Sequence, residues 1–308
     1  MRSQAVIMQE PGSLAIESIE LDAPADGDVV VEIARSGIST GTEKLLWEGR
    51  MPHFPGMGYP LVPGYEAVGE VAESRSARFH VGDKVFVPGA KCFGEVRSLF
   101  GAAARTLTVP GERLLSNDLL GDERGVLLAL AATAHHAVAG GALPDLIVGH
   151  GTVGRIMARI AVAKGGMPVV WERDAARTGG ASGYAVTNAE SDDRRDYRTI
   201  ADCSGDAALI DPLMGRLAKG GELVLAGFYP GRIDFAFAPA FMREARLRIA
   251  AEWTPADMQA VRGLIQSGAL SLDGLVTDHA PAREAASAYS RAFTQTDCLK
   301  MVLDWSEL

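Results

Sequence analysis

DLIVGHGTVGRIMARIAVAKGG, Asp145 to Gly166, reads as strand, tight glycine turn and helix. Leu146, Ile147 and Val148 form a short unbroken apolar run, the pattern of a parallel strand buried on both faces. Gly149, Gly151 and Gly154 follow in G-x-G-x-x-G spacing. In such a turn the first glycine permits the reversal, the second lets backbone approach a pyrophosphate, and the third packs helix against strand. Thr152 and Val153 open a helix expected to run to Lys164, with Ile156, Ile160 and Ala163 on one face and Gly165-Gly166 as its stop. The free N–H groups at its start suit a phosphate. The next apolar run, MPVVWER from Met167 to Arg173, ends in Glu172, close to the roughly 20-residue offset at which a carboxylate takes the adenosine ribose hydroxyls. A glycine turn alone also occurs in α/β proteins that bind no nucleotide. Here strand, turn, helix, strand and acid arrive in order, which points to a dinucleotide. Glu172 would repel a 2′-phosphate and favours NAD, while Arg173 beside it softens that preference.

The surrounding composition narrows the class. A chain of 308 residues suggests about two domains with ample material for a core. Net charge is −9 and no basic run occurs, which argues against a nucleic-acid surface or a basic membrane patch. Cys92, Cys203 and Cys298 are far apart and odd in number, so neither a disulfide framework nor a C-x-x-C pair is supported, as expected in a reducing cytoplasm. The start, MRSQAVIMQEPG, breaks before a signal-sized apolar run accumulates and reads as a first strand. The longest apolar region, Gly125 to Val148, is interrupted by His135, His136, a glycine pair and Pro144, so a buried helix is expected there and no transmembrane segment.

Residues 1 to 124 read as mostly β, with short runs at Gln4 to Met8, Asp28 to Ala34, Ala67 to Glu73, Asp83 to Pro88 and Arg105 to Val109, and no competing helical period. FPGMGYPLVPGY, Phe54 to Tyr65, is too rigid for a linker and too apolar for a solvated loop, and is expected to line or cover something. From Gly125 the pattern changes to helices alternating with strands, among them a helix near Ala207 to Leu217 and a strand Glu222 to Ala226. Such alternation is the mark of an open parallel sheet covered on both faces. From Thr254 the chain returns to short helices and a last strand, Cys298 to Leu303.

A β-rich front, a dinucleotide-binding middle and a short return resemble the medium-chain dehydrogenase/reductase superfamily. GYEAVGEV at Gly64 to Val71 is similar to its G-H-E-x-x-G-x-V turn, VGDKV at Val81 to Val85 to its V-G-D-x-V, and LAKGGELVLAGF at Leu217 to Phe228 to its closing cofactor-domain strand. The resemblance implies an α/β fold with two domains: a GroES-like β-rich catalytic domain over residues 1–124 with 255–308, and a Rossmann-type doubly wound parallel-sheet cofactor domain over 125–254. It also implies that Thr133 lies near the nicotinamide, and that two copies pair as a homodimer, with Phe235 to Met242 as a candidate contact. Zinc members of that superfamily hold their metal with a first-loop Cys, the His of G-H-E and a later Cys or acid. Here Ser39, Tyr65 and Ala129 stand at those positions, and they do not make a tetrahedral thiolate, imidazole or carboxylate set. A substitute set from Glu66, His135 and His136 is set aside, and no metal is expected.

The run from Ser36 to Val71 further resembles a zinc-free branch of the superfamily that acts on tetrapyrroles of bacteriochlorophyll synthesis. That resemblance implies oxidation of a 1-hydroxyethyl group on a bacteriochlorophyllide or chlorophyllide to acetyl, with NAD as acceptor. Such a pigment is large, flat and apolar with an ionised propionate, so it needs aromatic and aliphatic walls and a cation at the rim. Trp47, Met51, Phe54, Met57, Tyr59 and Leu61 are candidate walls, Lys44 and Arg50 candidate cations, and His53 a candidate ligand for the central magnesium. The walls and cations equally suit core packing or a solvated surface, and a single loop histidine is usually only a polar surface residue. Without zinc, proton handling falls to Ser39, Thr42, Glu43, Tyr65, Glu66 or His136, with Tyr65 and Glu66 foremost. Two other functions fit the same residues: a zinc-free NADPH quinone or enoyl reductase, and a dinucleotide-binding protein without catalysis.

Overall fold

Asp145–Gly166 folds as read, into the strand Leu146–Val148 and the helix Thr152–Ala163, with the glycine turn between them. The computed structural model describes residues 1–53 and 57–308. It divides into Met1–Ala129 with Leu275–Leu308, and Leu130–Gly274.

In the second unit six parallel strands lie in the order Ala185–Thr187, Val169–Trp171, Leu146–Val148, Tyr197–Asp202, Leu217–Leu225 and Arg246–Ile249. Read in chain order this is 3-2-1-4-5-6, the doubly wound arrangement, with its switch point at Leu146–Val148. Leu146, Ile200, Leu213, Leu223 and Leu225 fill one side of the sheet with Trp171 and Tyr197. Between Val169–Trp171 and Ala185–Thr187, where a crossover helix is usual, the chain makes only the 3-10 turn Ala175–Arg177. Asp174 caps that turn through the N–H of Ala176, and Gly179, Gly180 and Gly183 keep it from extending. The expected helix near Ala207 to Leu217 is shorter, comprising a 3-10 turn at Ala207–Leu209 and the helix Ile210–Met214. The strand after it starts earlier than read, at Leu217, because Tyr197 pairs with Leu217 across a register shift before the main ladder begins.

The first unit is built on two sheets. One is seven-stranded with Asp28–Ile38 near its centre, paired antiparallel with Ala67–Ser74 and, through Met301↔Ile38, with the tail strand Met301–Asp304. The other joins Arg2–Glu10, Ser13–Glu20, Leu61–Pro63 and Arg97–Leu99. Ser13–Glu20 was not among the expected strands. It is mostly exposed, packing only Leu14, Ile16 and Ile19 against the core, so its sequence carries little apolar signal. The short helix Thr42–Trp47 was also not expected. Six residues are too few to show a period, but Glu43, Leu45 and Leu46 are all buried.

The helix Pro255–Gln266 falls within the second unit, whereas the sequence reading assigns residues from 255 onward to the first. Asp257 in its first turn is bonded to His135 and His136, and Arg159 holds the carbonyls of Ser271 and Asp273, so this segment is tied to Leu130–Gly274. Among the described residues no helix is long and apolar enough to cross a membrane.

Candidate functional site

In the second unit the three glycines of the turn meet three different steric demands. Gly149 sits at φ +95°, a backbone region that L side chains rarely adopt. A Cβ on Gly154 would lie 1.9 Å from the Gly149 carbonyl oxygen, so any side chain there drives helix and strand apart. At Gly151 the nearest atom to such a Cβ is an Arg177 guanidinium nitrogen at 3.9 Å, which leaves that stretch of backbone open to a ligand. Gly151 is also the N-cap of the helix Thr152–Ala163 and brings no capping side chain. Backbone open at the second glycine and a helix start aimed beyond it fit the pyrophosphate of a dinucleotide.

Glu172 is half-buried and accepts the N–H groups of His150, at 2.9 Å, and Asp174, at 2.8 Å. The carboxylate expected to meet ribose therefore also braces the glycine turn, keeping lone pairs for further donors. Two supporting residues, His150 and Arg155, lie outside the sequence reading. His150 is fully buried with Nδ1 2.6 Å from the Arg177 carbonyl and Nε2 2.8 Å from the Tyr184 hydroxyl. Burial pushes its pKa down, so a neutral ring donating from Nδ1 is favoured. Arg155, also buried, donates to the carbonyls of His150 and Arg177. Their signal was available only as a histidine and an arginine in a turn that chemistry does not require there. Arg173 is exposed, and Thr133 is half-buried on the helix Leu128–Ala139. His135 and His136, one turn's neighbours of Thr133, hold the two oxygens of Asp257 at 2.9 and 2.8 Å. Against the opposing effect of its burial, bonds from Thr254, His135 and His136 hold Asp257 well below the usual carboxylate range.

In the first unit the structure brings Ser39, Thr42 and Tyr65 together. Ser39 ends the approach of strand Asp28–Ile38, and Tyr65 lies in the turn before strand Ala67–Ser74, so the antiparallel pairing of those strands sets them side by side. Ser39 Oγ and the Tyr65 hydroxyl are 2.7 Å apart, and Thr42 also bonds the phenol. The Tyr65 ring stands edge-on to Phe100, with centroids 5.5 Å apart. Burial, with Glu66 beside it, pushes the phenol far above the usual tyrosine range, so near neutral pH it stays protonated.

Glu66 points away from this pair. It is fully buried and accepts from Lys300 Nζ at 2.6 Å. Burial raises its pKa and Lys300 pulls it back. Glu43 is buried too, accepting the Ser39 N–H at 3.0 Å and the Tyr289 hydroxyl at 2.7 Å. Burial lifts Glu43 to about 7, against those two bonds. Of the residues considered for pigment contacts, Trp47, Met57 and Tyr59 are partly buried against the core, and the Tyr59 hydroxyl bonds the Leu46 carbonyl. Met51 and Leu61 are core residues. Lys44 donates to the Phe293 carbonyl at 2.8 Å, Arg50 pairs with Glu48 at 3.0 Å, and His53 is exposed. Phe54 lies outside the described residues.

A hydroxyl, a phenol held protonated and, at Ala129, a methyl group are poor partners for zinc. The three positions that would carry it do not fit the metal. Among the described residues no three or more His, Cys, Asp or Glu side chains group as a metal site.

Comparison with known proteins follows the same lines. A profile of the alcohol dehydrogenase GroES-like domain matches residues 25–118. The 2-desacetyl-2-hydroxyethyl bacteriochlorophyllide A dehydrogenase of Cereibacter sphaeroides is 59% identical over 99% of each chain. Its namesake from Rhodobacter capsulatus is 58% identical, covering 100% of this chain and 99% of that one. In three dimensions the L-idonate 5-dehydrogenase of Escherichia coli superposes with a TM-score of 0.84 at 18% identity, covering 99% of both chains. The fold is thus that of a nicotinamide-dependent dehydrogenase, and the chain belongs to the medium-chain dehydrogenase/reductase superfamily and, within it, to the family of those two bacteriochlorophyllide dehydrogenases.

Proposed function

We propose that this enzyme oxidises the 3-(1-hydroxyethyl) group of a bacteriochlorophyllide or chlorophyllide to a 3-acetyl group, with NAD as the cofactor. The observation that carries this reading is 59% identity along 99% of a dehydrogenase named for that hydroxyethyl pigment. NAD supplies the hydride acceptor. Gly149, Gly151, Thr152, Val153 and Gly154 would hold its pyrophosphate, Glu172 its adenosine ribose, and Thr133 would lie near its nicotinamide. Glu172 supports NAD over NADP, since a 2′-phosphate would meet a carboxylate already fixed by two backbone N–H groups.

In the first unit Tyr65 and Ser39 are the groups we assign to the substrate hydroxyl, with Thr42 steadying the phenol. A protonated Tyr65 donates to the substrate oxygen and holds it as the C–H bond breaks and the hydroxyl proton leaves to solvent water, in the place where zinc members use a metal. Glu66, engaged by Lys300, supports the scaffold in this scheme and takes no proton from substrate. Trp47 and Tyr59 are assigned to the pigment face, and Lys44 and His53 to its polar groups. The apolar face of Phe235, Phe237, Phe241 and Met242, 41–75% exposed, is assigned to pairing of two copies, and a monomeric mass by sedimentation would remove that assignment.

The reading predicts that the purified chain, given hydroxyethyl bacteriochlorophyllide and NAD, forms NADH and the acetyl pigment in equal amounts. An NADPH-dependent reduction of quinones with no pigment oxidation would favour the reductase alternative, and NAD binding without turnover the non-catalytic one.

A further inference from the structure

We infer that Lys300 is a positioning residue for the Ser39–Tyr65 pair. The inference rests on the reading that this pair meets the reacting oxygen.

A lysine in the apolar run Cys298 to Leu303 is unexpected, and at 1% exposure it must be paired to be tolerated. Its ammonium donates to Glu66 Oε2 at 2.6 Å and to the Ile38 carbonyl at 3.1 Å. Ile38 immediately precedes Ser39, and Glu66 immediately follows Tyr65. One cation therefore ties the backbone just before the serine to the side chain just after the tyrosine. The ladder explains how it gets there, since Met301 pairs with Ile38 and carries Lys300 to that level. Gly37 makes the room: a Cβ at that position would fall 2.4 Å from Glu66 Oε2. The Gly37 N–H also donates to the Glu66 carbonyl at 2.7 Å, so the two strands are stitched at the same point.

Other contacts show that the tie sets position and is not redundant. Glu66 Oε1 is buried with no hydrogen-bond partner, so among the described residues Lys300 is what anchors that carboxylate. On the far side of Ser39, Glu43 accepts the backbone N–H and is itself held by the Tyr289 hydroxyl. A buried ion pair often contributes less to stability than apolar residues of the same volume would, so its presence is weak evidence of a stabilising role and leaves geometry to account for it. Lys300 touches neither substrate nor cofactor in this scheme and acts only through the pair.

The test is a cycle of Lys300→Met and Tyr65→Phe in the full-length protein, read as kcat for pigment oxidation and KM for NAD. Lys300→Met is expected to lower kcat by about 10²-fold, as a misplaced reacting group does, with KM for NAD unchanged. Added to Tyr65→Phe it is expected to cost less than about threefold more, because the group it positions is already gone. An equal loss in both backgrounds, or wild-type kcat in folded Lys300→Met, overturns the proposal. Should Lys300→Met not fold, Glu66→Gln/Lys300→Met removes both charges. That variant is expected to fold and keep the kcat defect, and recovery of wild-type kcat would overturn the proposal. A readout without substrate separates this inference from the functional reading. In protein labelled at the tyrosine ζ-carbon, the Tyr65 resonance, assigned by its loss in Tyr65→Phe, is expected to shift in both Lys300 variants. An unmoved resonance overturns the positioning role even if the pigment is the right substrate, and a wild-type protein inert toward pigment overturns the functional reading alone.

Discussion

Gly154→Ala is expected to lose most NAD binding and roughly 2–4 kcal/mol of stability, the upper range for overpacking at a site that cannot relax. The new Cβ would stand 1.9 Å from the Gly149 carbonyl oxygen, and both atoms belong to backbone that the flanking strand and helix hold in place. Gly151→Ala is the companion measurement. Gly151 has φ −74° and ψ −170°, which alanine adopts freely, and its Cβ would have no neighbour closer than 3.9 Å. Its melting temperature should stay near wild type, while NAD affinity falls at least about tenfold because the methyl occupies the approach of the pyrophosphate. Calorimetric titration with NAD and thermal melts of the two variants separate packing from ligand contact. Wild-type affinity in both would mean that the turn is not the cofactor site.

Tyr65→Phe is the second large effect. Removing one preorganised donor from a developing oxyanion costs about 10²–10³ in kcat where such donors have been removed, and a loss of that order is expected here. The pH dependence should be unchanged in shape. Tyr65 is pushed far above the usual range by burial and by Glu66, so it stays protonated throughout the range in which the enzyme would be assayed and contributes no limb to the profile. Loss of a limb in the variant would instead make Tyr65 the proton acceptor. Full turnover would remove it from the mechanism.

These expectations differ in how far the sequence could have supplied them. The cofactor turn was legible because three glycines within six residues each answer a separate steric need, and because the strand, helix and acid around them are local. The place of Ser39 and Tyr65 was legible only through resemblance, as positions where zinc ligands would stand. What they do was not, since it depends on partners distant in the chain. Lys300 is 234 residues from Glu66 and Tyr289 is 246 from Glu43, and no periodicity links such pairs. Glu66 illustrates the cost: adjacent to Tyr65 in sequence, it reads as a proton acceptor, yet it is turned into the core and engaged by an ammonium. Local composition also misled at the tail. Short helices after Thr254 look alike whichever unit they join, and the bonds from Asp257 to His135 and His136 decide that Pro255–Gln266 goes with Leu130–Gly274. The strand Ser13–Glu20 escaped because its exposed face is broad and its apolar face narrow.

The central claim is that this chain oxidises a hydroxyethyl tetrapyrrole with NAD and without a metal of its own, through groups such as Ser39 and Tyr65. The most direct measurement is pigment absorbance during turnover by protein that has been stripped with a strong chelator, shown to be free of zinc, and assayed with the chelator present. The account predicts that the long-wavelength band moves to the red as the acetyl group forms, at the rate of untreated protein and with one NADH per pigment. A rate that collapses on stripping and returns with added zinc, or a band that never moves while NAD is bound, would contradict it.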